Sequence, residues 1–211
     1  MKRLILMVLC IFSSVNISFA QDGNAALYDV TAPADSAFIR VFNGSSQSIG
    51  VQLSGKSAEQ QLSAFKLGEY LFTAAGDYTL TVGTTALPLK VVKNQVLTFY
   101  YDGSSLKSIE DERYQGAKKA HITFYNFTPK SLSLKTANGK HSVVKKVPSY
   151  DNGSRLVNEI KMAFSAFETK QKLADFEESF LKKGRSYSYV ILAEGDNFQT
   201  LVQPDLISTI E

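Results

Sequence analysis

Residues 36–43 read SAFIRVFN, and residues 119–126 read KAHITFYN. Ala, Ile and Asn recur at matching places, as Ala37/Ala120, Ile39/Ile122 and Asn43/Asn126. Each run leads through a polar turn into a second strand-like segment, GSSQSIGVQLSGK in the first case and FTPKSLSLKTANGK in the second. The offset is 83 residues through Ser48 and Ser131 and becomes 84 at Gly55-Lys56 and Gly139-Lys140. A period of that length is a copied domain, since solenoid repeats are only ~20–50 residues long.

Outward from these two runs, each copy shows short alternating stretches broken by turn residues, the pattern of a sandwich or barrel. The first copy predicts strands near 37–43, 48–53, 69–73, 77–82, 86–92, 95–101 and 105–110. The second predicts strands near 120–126, 131–136, 142–147, 159–167, 172–177, 185–192 and 198–203. Gly76-Asp77, Gly83 and Asp102-Gly103 punctuate the first copy, and Pro88 belongs on an edge strand because it cannot donate to a ladder. Residues 157–183 are ambiguous: Val157, Ile160, Phe164 and Phe167 fit a helical face, while Ile160, Met162, Phe164 and Ala166 alternate. The repeat favours strands. The predicted fold is therefore all-β, two tandem antiparallel β-sandwich domains related by an internal repeat, at 21–112 and 120–211. A linker at 113–119 lies within the charged run DERYQGAKK.

The first twenty residues read as a cleaved signal peptide. Lys2 and Arg3 precede an apolar run from Leu4 to about Ile17, and Ser18-Phe19-Ala20 places small residues for cleavage after Ala20. The apolar run is shorter than the ~20 residues a membrane span needs, so the expectation is a periplasmic protein, not an integral membrane one. Cys10 is the only cysteine and lies in this segment, so the mature chain has no disulfide and no thiolate metal site. Charge is uneven. Residues 21–112 hold 6 basic and 10 acidic side chains, and residues 113–211 hold 15 and 10. Such asymmetry suits charged partners.

Catalytic patterns are absent. A G-x-S-x-G elbow is missing, Asp35-Ser36 lacks the preceding glycine of a Gly-Asp-Ser motif, and neither His121 nor His141 has Asp three residues before it. His121 aligns with Phe38, a strand position that accepts a ring, and His141 sits in a turn. No calcium loop, P-loop or dinucleotide fingerprint occurs. No cofactor or metal is expected, and a near-neutral exported chain does not suit nucleic acid.

The repeated strand has two apolar faces. Ile39 and Val41, matched by Ile122 and Phe124, are assigned to the core. Phe38, Arg40 and Phe42, matched by His121, Thr123 and Tyr125, face the other way. Something must cover that second face: the partner sheet, the other domain or another protein. Aromatic rings flanking an arginine also suit contact with a glycan or a protein, which makes Phe38, Arg40, Phe42, His121 and Tyr125 the candidate contact residues.

The segment ALYDVTAPADSAFIRVFN, with Leu27-Tyr28, Pro33 and the run Ser36–Asn43, resembles the N-terminal signature of the alginate biosynthesis protein AlgF family. Residues 126–140 and 184–192 also resemble it. The resemblance implies a role in periplasmic O-acetylation of alginate or a similar exopolysaccharide. There a membrane acyltransferase exports acetyl groups, and periplasmic SGNH-type proteins pass them to the polymer. It implies a non-catalytic adaptor docking to those membrane-bound and periplasmic acetyltransferase components, with no catalytic residue to carry over. The polyuronate itself is a further expected contact, through Lys140, Lys145, Lys146, Lys161, Lys182 and Lys183. The competing readings are a carbohydrate-binding module outside acetylation and an enzyme using His121 as base.

Overall fold

The computed structural model describes residues 32–210; the expected signal peptide and Leu27-Tyr28 lie outside the described residues. The first half contributes β1 (Ala37–Asn43), β2 (Ile49–Leu53), β3 (Gln60–Leu62), β4 (Lys66–Leu67), β5 (Leu71–Thr73), β6 (Gly76–Val82), β7 (Thr85–Val91), β8 (Val96–Tyr101) and β9 (Leu106–Glu110). The second contributes β10 (Ala120–Phe127), β11 (Leu132–Thr136), β12 (Ser142–Val147), β13 (Asp151–Val157), β14 (Ile160–Met162), β15 (Phe164–Glu168), β16 (Gln171–Asp175), β17 (Ser179–Leu181), β18 (Ser186–Glu194) and β19 (Asn197–Pro204). No helix among the described residues is long and apolar enough to cross a membrane.

The two halves share one topology. In the first, β4-β1-β8-β9, with β5 also on β1, packs over β3-β2-β6-β7. In the second, β13-β10-β18-β19 packs over β12-β11-β15-β16. In both, the repeated strand is central and runs parallel to its neighbour, β1 to β8 and β10 to β18. Alternation drives each core. Ile39, Val41, Val51, Leu53, Leu80 and Phe99 fill the first, and Ile122, Phe124, Leu132, Leu134, Phe164 and Tyr189 the second. Each such side chain contributes ~1.5–3 kcal/mol on burial. Pro88 lies on β7, an edge strand, and Gly83 and Gly103 take the positive φ their turns require.

The asparagines of the repeat explain why it was visible. Asn43 is fully buried, and its amide nitrogen donates to the carbonyls of Gln47, Leu62 and Ser63 at 2.7–3.1 Å. Asn126 is also fully buried and donates to the carbonyls of Lys130, Val147 and Pro148 at 2.6–3.1 Å. Each side chain ties the end of the central strand to the turn after it and to the edge of the opposite sheet. A buried carbonyl without a donor is costly, so the same residue serves both copies.

Four strands differ from the sequence expectation. β3, β4, β13 and β17 fall outside the predicted ranges. They are short or polar, and β13 carries Asp151, Asn152 and Gly153, which have low strand propensity. The stretch predicted as one strand at 159–167 breaks at Ala163. β14 pairs with β17 as a separate ribbon, and β15 joins β11 and β16.

Candidate functional site at the seam between the sandwiches

The second face of β1 meets the second face of β10, so each sandwich covers the other. Phe38, Arg40, Phe42, His121 and Tyr125 all lie along this seam, with exposures of 0–5%. At one end Phe42 stacks on Phe127 at 4.9 Å, Tyr100 stacks on Phe127 at 4.5 Å, and Leu67, Ile109, Val190 and Leu192 close the cluster.

Arg40 occupies the centre. Its Nε donates to Thr98 Oγ1 at 2.9 Å. Nη1 donates to Asp205 Oδ1 at 2.8 Å, and Nη2 donates to the Tyr125 hydroxyl at 2.7 Å and to Ser188 Oγ at 2.9 Å. The guanidinium carbon lies 4.0 Å from the Tyr70 ring centroid, a cation–π contact strengthened by desolvation. Asp111 accepts from the hydroxyls of Tyr70, Thr98 and Tyr125 and from the Asn152 amide at 2.5–2.8 Å. Burial alone would lower the Arg40 pKa; Asp205, the tyrosines and Asp111 outweigh it and hold the group charged. Burial pushes the Asp111 carboxyl up, against the pull of Arg40 and the three hydroxyls.

This arrangement has a local pseudo-two-fold. Thr98 pairs with Arg40 across β1–β8, and Ser188 pairs with Thr123 across β10–β18. Thr98 donates to Asp111, just past β9; Ser188 donates to Asp205, just past β19. The Asp111 amide bonds to Val96 and the Asp205 amide to Ser186, again at equivalent positions. Two hydroxyl–carboxylate pairs thus converge on one arginine, because the second copy supplies Thr123 where the first supplies Arg40. Beyond each aspartate the chain crosses to the other sandwich. Residues 205–210 bond to both backbone groups of Tyr70 through Leu206 and Ser208, and Ile210 packs on the first core. The segment after β9 is held by Asn152 and Ser154 of β13, which contact Glu110 and Glu112.

At the other end the seam opens into a groove of about 1150 Å³ bordered by Phe38, Tyr70, Arg113, Tyr114 and His121. Arg113 lies 4.6 Å from the Phe38 ring centroid, and Tyr114 stacks on His121 at 5.4 Å. His121 Nε2 is buried without a hydrogen-bond partner. Its pKa is lowered by burial, against Glu112, Asp205 and Asp111, so the ring is held neutral. Among the described residues no hydroxyl is hydrogen-bonded to the imidazole of either histidine, the Thr136 hydroxyl meeting only the His141 backbone amide, and no group of three or more His, Cys, Asp or Glu side chains could hold a metal ion.

The sequence singled out Arg40 and Tyr125, which bond directly, and Phe38 and His121, which border the groove. It missed Tyr70, Thr98, Asp111, Ser188 and Asp205. One signal was available: Ile109-Glu110-Asp111 and Gln203-Pro204-Asp205 each place an aspartate just after the last strand of a copy.

Comparison with known proteins gives a consistent relationship. The family model described as "Alginate O-acetyl transferase AlgF" matches residues 10–188. The alginate biosynthesis protein AlgF of Azotobacter vinelandii is 31% identical over 163 residues, 77% of this chain and 75% of that protein. That of Pseudomonas fluorescens is 27% identical over 188 residues, 89% of this chain and 86% of its own length. The solved C-terminal domain of AlgF from P. aeruginosa is 28% identical with a TM-score of 0.38, covering 41% of this chain and 98% of that domain. The chain belongs to the AlgF family of alginate biosynthesis proteins.

Proposed function

We propose that this chain is a non-catalytic periplasmic adaptor for O-acetylation of alginate or a similar exopolysaccharide, docking to the membrane-bound and periplasmic acetyltransferase components. The observation that carries this reading is the seam. An Arg40 bonded through all three of its nitrogens between two carboxylate–hydroxyl pairs makes two sandwiches into one body, whereas domains joined by a short linker otherwise move. A rigid two-headed body holds two partners at a set separation. The chemistry agrees with assistance rather than transfer: acyl transfer needs a nucleophile bonded to a base, and His121 has its Nε2 without a partner and its basicity reduced.

Deleting the gene tests this, with O-acetyl content of the exported polymer as the readout and polymer yield as the control. Loss of acetyl groups with polymer still secreted is the expected result; unchanged acetylation removes the reading. Purified protein is expected to leave p-nitrophenyl acetate intact, and hydrolysis that His121→Ala abolishes would establish an enzyme instead.

The groove favours a second reading, a carbohydrate-binding module, because its half-buried Tyr114 ring lies beside an unpartnered His121 nitrogen. That reading requires oligosaccharide affinity that falls in Tyr114→Ala with the fold intact.

A further inference from the structure

The outward face of β12-β11-β15-β16 differs from its counterpart on the first sandwich. Ile49, Val51 and Leu53 of β2 point into the first core, so Gly50 and Gln52 face out, joined across the sheet by Gln61, Thr79, Thr81 and Pro88. That face is nearly neutral, and its β2–β3 register is continuous. On the second sandwich Leu132 and Leu134 point inward and Ser133 and Lys135 outward, with Phe167 and Lys172 following by register. The β11–β12 register then slips. Leu132 pairs with Val147 and Leu134 with Val144, leaving Lys145 and Lys146 both opposite Ser133. Lys146 has a φ of 50°, and its amide is held by Ser133 Oγ at 3.0 Å. Side chains other than glycine seldom take that conformation. The bulge exposes two successive lysines on a strand whose alternation would otherwise turn one inward.

The acidic residues on this side are already matched. Lys130 pairs with Glu168 at 2.6 Å and Lys172 with Asp175 at 2.8 Å. Lys140, Lys145, Lys146 and Lys170 are exposed and have no ion pair among the described residues.

We infer that this lysine-bearing outer face is a docking surface for an acidic face of a protein partner, and the inference rests on the adaptor reading. Charge complementarity names the chemistry. The spread across strands, instead of along a groove, fits a flat partner. A sugar would want an exposed ring to stack on, and the ring here, Phe167, is 6% exposed beneath Lys135, whose ammonium lies 4.8 Å from its centroid. An anionic membrane would want apolar side chains among the lysines. The exposed large apolar residues, Val92, Leu156, Ile160, Phe180 and Leu206, lie on other elements.

Two variants of equal charge change test this. One carries Lys140→Gln, Lys145→Gln and Lys146→Gln; the other carries Gln52→Glu, Gln61→Glu and Thr79→Glu on the first sandwich. Each is checked for an unchanged unfolding transition, with Lys145→Gln alone as the milder substitute if the triple variant is unstable. Binding to the purified periplasmic acetyltransferase component is measured at low and high salt. The expected result is salt-sensitive binding that falls on the order of tenfold in the lysine variant and is kept by the control. Equal binding by both variants overturns the face and leaves the adaptor reading standing. No binding by the unaltered protein overturns both. Binding to phosphatidylglycerol vesicles or to oligomannuronate that the lysine variant loses, with protein binding unchanged, assigns the face to a membrane or to the polymer and overturns the proposal.

Discussion

Asn43 and Asn126 perform one task in two places, whereas Arg40 and Thr123 hold equivalent positions and do different things. The asparagines work inside each sandwich, where both copies face the same backbone problem and the same residue solves it. The arginine works between the sandwiches. A two-fold seam that kept both copies identical would bring two guanidinium groups to its centre, buried and repelling. One Arg40 opposed by Thr123 leaves room for a single cation between Asp111 and Asp205. The copies therefore agree where each folds and diverge where they meet.

The largest effect should come from breaking the divergent side. Arg40→Leu leaves Asp205 and the Asp111 cluster buried with no cation, and removing one partner of such a network costs about 3–5 kcal/mol. Denaturant unfolding measures this. The reciprocal pair sharpens it. Asp205→Asn removes one of two carboxylates and keeps a side chain able to accept from Arg40, so it should cost less than Arg40→Leu. Equal costs would mean that Asp111 alone does not hold the arginine.

The shared side predicts a smaller and more uniform effect. Asn43→Ala and Asn126→Ala each strip the amide from three carbonyls, and leaving buried acceptors unsatisfied costs about 1–3 kcal/mol. The two losses should agree closely, since the bonding patterns match. A several-fold difference would show that one sandwich tolerates opening of its strand end and the other does not.

The same division decides what the sequence made legible. Ala37–Asn43 and Ala120–Phe127 were readable because alternation, turns and the repeated asparagine all serve local needs. β13 was not, because Gly153 is there for space: a Cβ would lie 2.7 Å from Val144. The first copy covers the same edge with two short pieces, β4 and β5, so the repeat offered no template. Arg40 was found as an arginine on a second apolar face, but its partner Asp205 lies 165 residues away. Pairing over that distance depends on how two domains dock, which strand periodicity does not encode. Asp111 was hidden differently, inside a charged run that reads as solvated linker. The lysines of the second copy were visible as a count, and only the β11–β12 register shows that Lys145 and Lys146 face out together.

The smallest predicted effect uses the remaining mismatch, Phe38 against His121. Burial lowers the His121 pKa below the ordinary histidine value of ~6.5, although Glu112, Asp205 and Asp111 pull the other way. The unfolded chain therefore takes up the proton first as pH falls. Stability should be at its full value above pH ~7, decline as pH drops through ~6.5, and level off below the folded pKa. Tyr114 stacks on the ring and Phe38 borders the same groove, so neither supplies a charge to hold an imidazolium. Replacing the histidine with the residue of the other copy, His121→Phe, should keep the stack and remove the decline between pH 7.5 and 5.5, above the range in which ordinary exposed carboxylates titrate. Thermal unfolding across that window measures both proteins. A parallel decline in His121→Phe would show that His121 does not carry the pH dependence, because the raised Asp111 carboxyl acts in the opposite direction, adding stability as pH falls.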